Sequence, residues 1–355
     1  MLTAINQSHQ VIIAAAADRQ TLYYCPGCRT KVILRRGQRV VAHFAHQSGS
    51  HCAVSSEPES QQHLTGKWQM AHYFGEDRVE LEPYLKTIRQ RPDLIVTQAK
   101  GQVPIEFQCS AISPEKLTSR NAGYQQLALK PVWVLGNQYY QHMTRQVQVA
   151  PFVTWSAAWG WYLLFWRTAT ATMELWCQIQ TDLLGTIGYQ RYRLLGAGQY
   201  EFIENKAIRA TTWQVNQLRQ QIVHGLRYRT PKYMQWQNFC YSHHRLLQTI
   251  PDFCFDQPVV VPIFGDSVAI FRYCLLILIS ELGSDQELNQ SQLFCMVEKL
   301  RPMLVIGNLA NCSERRFRDQ LQLVLDDWVQ TLMNNGYLHR VGPEKWRVTR
   351  QIMPA

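Results

Sequence analysis

The apolar positions of this chain change rhythm along its length, and each rhythm names an element. Residues 1–22 contain the run "QVIIAAAA", read as a strand or short hairpin. In 58–74, "PESQQHLTGKWQMAHYF", Leu64, Trp68, Ala71 and Phe74 fall on roughly one face of a helix. The period then drops to two in "RVELEPYL" (78–85), "RPDLIVTQ" (91–98) and "VPIEFQCS" (103–110), which predicts three strands. "AKGQ" joins the last two as a hairpin, with Gly101 able to take positive φ. A second helix is predicted over 113–129, with Ser113 as N-cap, Pro114 in the first turn and Glu115 at the positive end of the dipole. "PVWVLG" (131–136) closes the series as a short buried strand. Helix, three strands, helix and strand make a mixed α/β unit with one crossover helix.

Beyond it, "VAPFVTWSAAWGWYLLFW" (149–166) has the length of a marginal membrane span. Its Trp, Pro, Gly, Ser and Thr content reads instead as buried sheet, without stable membrane insertion. Residues 151–205 are β-rich, 206–250 basic and aromatic with helical character, and 268–355 mostly helical. The last segment ends in a long amphipathic helix and two short strands around "VGPE", a winged-helix-like ending. The expected division is an N-terminal unit (1–56), a central mixed α/β domain (57–150) and a C-terminal domain (151–355).

Composition sharpens this picture. At 46% hydrophobic residues the chain is a folded protein, and its net charge of +10 fits either an ordinary basic protein or one with a phosphate-bearing partner. The tract 206–250 holds Lys206, Arg209, Arg219, Arg227, Arg229, Lys232 and Arg245 with no acid. Trp213, Tyr228, Tyr233, Trp236, Phe239 and Tyr241 are interleaved among them. Either this is a solvated face or it is an electrostatic track on which the bases of a nucleic-acid strand stack. Ten cysteines are scattered, and Cys109, Cys254 and Cys274 lie in apolar runs as reduced thiols do. With no basic, apolar leader at the N-terminus, a cytoplasmic location is expected.

Two constellations carry chemistry. Cys25-Pro-Gly-Cys28 is a tight knuckle, followed by "HFAH" with His43 and His46 and then by His51-Cys52. That spacing approaches a structural zinc site, with Cys25, Cys28, His46 and Cys52 as first choice and His43 as substitute. A unit this small buries little core, so a metal would help it fold. The second constellation is a carboxylate pair on adjacent strands. Strand alternation puts Ile105 and Phe107 on one face and Glu106 and Gln108 on the other, toward Asp93. Two such acids repel unless neutralised, and Mg²⁺ or Mn²⁺ held by Asp93 and Glu106 would do so. The competing reading makes Glu106 a strand-edge residue and Asp93 a turn acid.

Pro92-Asp93 followed by Glu106-Phe107-Gln108 resembles the PD-(D/E)xK nuclease motif, with Gln108 in the usual place of lysine. More specifically, "YYCPGC", "HFAH", "RPDLIV", "IEFQCSAIS" and "SRNAGYQQLALKPVWVLG", in this order, resemble the competence protein CoiA family, most strongly over about residues 20–140. The resemblance implies a zinc-finger-like N-terminal unit and a nuclease-like central domain. It also implies a cytosolic protein acting on incoming DNA in natural transformation, alongside RecA-type recombination proteins. By position it implies Asp93, Glu106 and Gln108 as the catalytic set, with Glu82, His63 and Lys67 lining the same pocket. A cation replacing the missing lysine would come from Lys116, Arg120 or Lys67. Arg120, Lys116, Arg219, Arg227, Arg229, Lys232 and Trp236 are the expected DNA contacts. Two functions follow: a metal-dependent nuclease acting on single-stranded or branched DNA, or a nuclease-derived clamp that holds DNA uncut and assists recombinase loading. An RNA-processing or mobile-element role is a third, weaker reading.

Overall fold

A computed structural model describes residues 1–38, 40–47, 52, 59–196, 198–208, 211–256, 262–264, 267–304 and 309–349. Arg209 and His51, named above, lie outside them. In chain order the elements begin with β1 (Thr3–Ile5), β2 (Val11–Ile13), β3 (Tyr23–Tyr24), β4 (Lys31–Arg35) and β5 (His43–His46). Next come α1 (Gln61–Phe74), β6 (Val79–Leu81), β7 (Leu94–Gln98), β8 (Gly101–Gln108), α2 (Pro114–Gln126) and β9 (Val132–Leu135). Short helices α3 (Asn137–His142) and α4 (Gln146–Val149) precede β10 (Thr154–Ser156), β11 (Gly160–Arg167), β12 (Thr172–Thr181), β13 (Ile187–Gly196) and β14 (Gln199–Lys206). The chain continues as α5 (Thr212–Arg227), α6 (Pro231–Ser242), α7 (Val268–Ser280), β15 (Glu287–Asn289), α8 (Gln290–Leu304), α9 (Glu314–Asn334), β16 (Leu338–Gly342) and β17 (Lys345–Val348). The chain is thus mixed α/β, as the hydrophobic pattern predicts.

It divides into two units. The first comprises 1–143, 163–176 and 191–204. Its N-terminal sheet has the order β2-β1-β3-β4-β5, antiparallel throughout. Ala4, Ala14, Tyr23, Val32 and Phe44 are buried between its strands and loops. The larger sheet runs β14-β13-β12-β11-β9-β8-β7-β6 and so continues past residue 150. β6, β7 and β8 are antiparallel neighbours, while β8–β9 and β9–β11 are parallel. A parallel pair cannot be joined by a tight turn, and α2 supplies the β8–β9 crossover. Ser113 caps α2 by accepting from the Lys116 amide, with Pro114 in the first turn, as the sequence predicts. Leu94, Val96, Ile105, Phe107, Val134 and Trp166 form the core against Met70 and Ala71 of α1.

Two local readings change. The strand expected over 78–85 stops at Leu81, because Glu82 turns into the left-handed region at φ 50°. The buried stripe of α1 is Leu64, Gly66, Lys67, Met70 and Ala71, with Trp68 and Phe74 only partly covered. Glycine at 66 is required there: a Cβ would sit 2.1 Å from the Phe107 ring, so its absence lets α1 seat directly on β8.

The second unit comprises 144–162, 177–190 and 205–355. β10 pairs antiparallel with the start of β11, so the apolar run at 149–166 forms strands. No helix among the described residues is long and apolar enough to cross a membrane. Every residue of α7 is buried, including Arg272, whose guanidinium reaches Asp327 at 2.9 Å and the carbonyl of Cys254 at 3.3 Å. The C-terminal elements follow the order α7-β15-α8-α9-β16-β17, with sheet order β15-β17-β16.

Candidate functional site

Asp93 sits immediately before β7, where α1, packed on β8 through Gly66, passes over it. Its Oδ2 accepts from the Phe107 amide at 2.8 Å and lies 3.1 Å from His63 Nε2, and its Oδ1 is 3.6 Å from Lys67 Nζ. Lys67 is wholly buried; it donates to Glu59 at 2.9 Å and also to Glu82. Arg91 stands 3.7 Å from Glu59, and the terminal amino group of Met1 stands 2.8 Å from its other oxygen. The second oxygen of Glu82 accepts from the amides of Leu2 (2.9 Å) and Thr3 (3.1 Å) and from the Thr3 hydroxyl (3.2 Å). Glu82 therefore ties β1 to the larger sheet from a nearly closed position, 2% exposed.

The electrostatics follow from this packing. Burial alone would raise the Glu82 carboxyl, but the Lys67 and Arg91 charges override it and hold it at about 2. Burial would likewise raise Asp93, and the charges of His63 and Lys67 with the Phe107 amide hold it well below the usual carboxylate range. Glu59 is held down against burial mainly by Lys67. Burial would lower the Lys67 ammonium, and Glu59, Glu82 and Asp93 instead keep it firmly protonated.

Glu106 behaves differently. One oxygen accepts from Arg120 and from the Tyr124 hydroxyl, both on α2. Burial raises this carboxyl, only partly opposed by Arg120 and reinforced by the charge of Asp93. Asp93 and Glu106 thus each have charged or donating side chains of their own. Among the described residues, the ligand atoms of Glu59, His63 and Asp93 lie within 4.8 Å of one another. The Gln108 amide is turned to its own strand exit, donating to the Ser110 carbonyl at 2.7 Å. Of the three expected substitutes for lysine, Lys67 stands at Asp93 and Arg120 at Glu106, while Lys116 is exposed on the first turn of α2. Glu59 is the residue that sequence reasoning missed. Its signal was the four-residue spacing to His63, hidden inside a Ser- and Glu-rich segment that reads as linker.

Beside Glu82 lies a cavity of about 580 Å³ whose lining includes Thr3, His9, Arg29, Tyr84 and Lys86. Glu80 lines the same cavity and is exposed.

In the N-terminal sheet, Cys25, Cys28, His46 and Cys52 bring their ligand atoms within 4.8 Å of one another. Cys28 Sγ is 3.3 Å from His46 Nε2, and the Cys25 and Cys52 sulfurs are 4.0 Å apart. Tetrahedral thiolates about 2.3 Å from a zinc ion would be roughly 3.8 Å apart, so this donor set fits such an ion. His43 is not in the group; its Nδ1 bonds the Val41 carbonyl at 2.9 Å. Burial raises the Cys25 thiol to about 11; Cys28 lies at about 6, burial being outweighed by hydrogen bonds from Thr30 and His46.

The basic tract forms α5 and α6. Arg227, Tyr228, Arg229 and Lys232 are exposed at the turn between them. Arg219 is held elsewhere, 2.6 Å from Asp252 and over the Phe255 ring. Trp236 is corrected: at 1% exposure it belongs to the helical core and offers no face to a base.

Two family models match the chain: the competence protein CoiA N-terminal domain over residues 6–55 and the CoiA nuclease-like domain over 59–181. Both matched domains are those of the CoiA family. The first stretch contains the whole Cys/His group, and the second begins at Glu59 and includes Glu82, Asp93, Glu106 and Arg120. The chain is 35% identical over 116 residues to the competence protein CoiA of Bacillus subtilis (strain 168). That match covers 32% of this chain and 31% of the relative's length. No solved structure matches.

Proposed function

We propose that this chain is a metal-dependent nuclease that cuts single-stranded or branched DNA while incoming DNA is recombined in the cytoplasm. The observation that carries the reading is the convergence of Glu59, His63 and Asp93 with Lys67 beside Asp93. Glu59, His63 and Asp93 would hold the Mg²⁺ or Mn²⁺. Such an ion supplies Lewis-acid polarisation of a phosphodiester and a more acidic water. Lys67, fixed by three acids, provides from α1 the positive charge that Gln108 lacks. Arg120 offsets negative charge near Glu106 and, 24% exposed, keeps an edge open to a phosphate. The exposed turn at Arg227, Tyr228, Arg229 and Lys232 would track the strand, with Tyr228, 63% exposed, stacking on a base. The Cys/His group would hold a structural Zn²⁺ that stiffens the N-terminal sheet. The test incubates purified protein with labelled single-stranded and branched DNA and Mn²⁺. Cutting that disappears in Asp93→Ala and Glu59→Gln is expected; intact DNA, or equal cutting by Asp93→Ala, overturns the proposal.

The clamp reading is favoured by one observation: the Gln108 amide is spent on Ser110, and Glu106 on Arg120 and Tyr124. On that reading Asp93→Ala loses the metal and keeps full DNA affinity, with no cutting by the unaltered chain, and a RecA-type protein is the partner that receives the strand.

A further inference from the structure

We propose that residues 268–349 are a winged helix that grips the backbone of duplex DNA, a second DNA contact independent of the carboxylate site. A short strand, β15, stands between the first two helices and pairs antiparallel with the last strand, β17, which in turn pairs with β16. Helix, strand, helix, helix, hairpin with that strand order is the winged-helix arrangement, with α9 in the place of the recognition helix. α9 buries Leu321, Val324, Leu325, Trp328 and Leu332 and leaves Arg315 and Arg318 exposed in its first two turns.

β17 alternates, with Trp346 and Val348 buried and Lys345 and Arg347 exposed, whereas β16 buries Leu338 and exposes His339, Arg340 and Val341 in succession, its register shifting between Arg340 and Gly342. The hairpin carries three permanent cations and one acid, Glu344; Arg347 is paired with Glu287 of β15 at 3.9 Å, which leaves Arg340 and Lys345 as the cations offered to a ligand. Their complement is a row of phosphates, and counterion release rewards each contact. Further along, the exposed side of α9 carries Asp326, which accepts from Gln322 at 2.6 Å. An acid there opposes deep insertion of the helix among base edges. The geometry therefore points to a backbone grip without sequence reading.

The test uses the full chain in buffer without added Mg²⁺ or Mn²⁺, so that cleavage plays no part and the nuclease reading can fail separately. A labelled blunt duplex and a labelled single strand are titrated over a salt series with wild type and with Arg340→Ala/Lys345→Ala. Losing two phosphate contacts should lower the duplex salt slope by about 2 and weaken duplex binding about 30-fold at 0.15 M salt. Single-strand binding should change less than twofold. Duplex affinity within twofold of wild type overturns the proposal, as does an equal loss on both DNAs. Both residues are exposed, so the melting temperature should hold. If it falls, Arg315→Ala/Arg318→Ala on α9 decides by the same criteria.

Discussion

Lys67→Met tests whether the acids around α1 are held by one buried cation. The ammonium has no solvent exposure and touches Glu59, Glu82 and Asp93. Methionine matches the stem but leaves Glu82 without its ion-pair partner, with the more distant Arg91 charge left to hold it. Glu82 cannot escape to water: it is 2% exposed and anchored to the amides of Leu2 and Thr3. Removing one partner of a buried pair costs about 3–5 kcal/mol, mostly through the stranded charge. Asp93 and Glu59 retain His63 and Arg91, which keeps the estimate inside that range. The measurement is urea unfolding at pH 7. A second arm adds Glu82→Gln, which keeps an acceptor for β1 and removes the stranded charge, so the double variant should recover about half the loss. A single-variant loss below about 1 kcal/mol, or a double variant no better than the single, would refute the reasoning.

Other outcomes follow from the same contacts. Zinc content should fall from one ion per chain to none in Cys28→Ser and His46→Ala and stay at one in His43→Ala; loss in the His43 variant would put the wrong histidine in the group. Gly66→Ala forces a Cβ against the Phe107 ring and should cost about 1–3 kcal/mol while weakening Mn²⁺ binding, since α1 carries His63. Unchanged thermal stability would mean that α1 has room to shift. The Glu82 carboxyl is lower folded, at about 2, than its ordinary value of 4.5. Its contribution is therefore complete above about pH 4.5 and lost as pH falls toward 2, and Glu82→Gln should flatten that limb of the acid-unfolding curve. A curve superimposable on wild type would rule the linkage out.

What could be read from sequence alone divides along a physical line. Period-two alternation located β7 and β8, and with them Asp93 and Glu106, because a strand's faces depend only on near neighbours. The zinc candidates were legible for the same reason: Cys25 and Cys28 share one turn, and few donors follow. Trp236 was misread because aromatics interleaved with cations at helical spacing look alike from the core side and the solvent side. α6 buries Trp236, Gln237 and Cys240 on one stripe. Which stripe faces inward is decided by packing partners such as Leu247, whose amide donates to Gln237 at 3.1 Å. The partners of the acids were hidden more deeply. Glu82 is joined to Thr3 across 79 residues and Asp93 to His63 across 30. No local rule says which cation a buried carboxylate will meet, only that it must meet one. The need for a counter-charge is legible in the sequence; that Lys67 stands beside Asp93 and Arg120 beside Glu106 needed coordinates. Lys67 and Arg120 already answer that requirement, so on the proposed reading a divalent ion at Asp93 would be recruited by the geometry of Glu59 and His63 and not by unrelieved repulsion between the two acids.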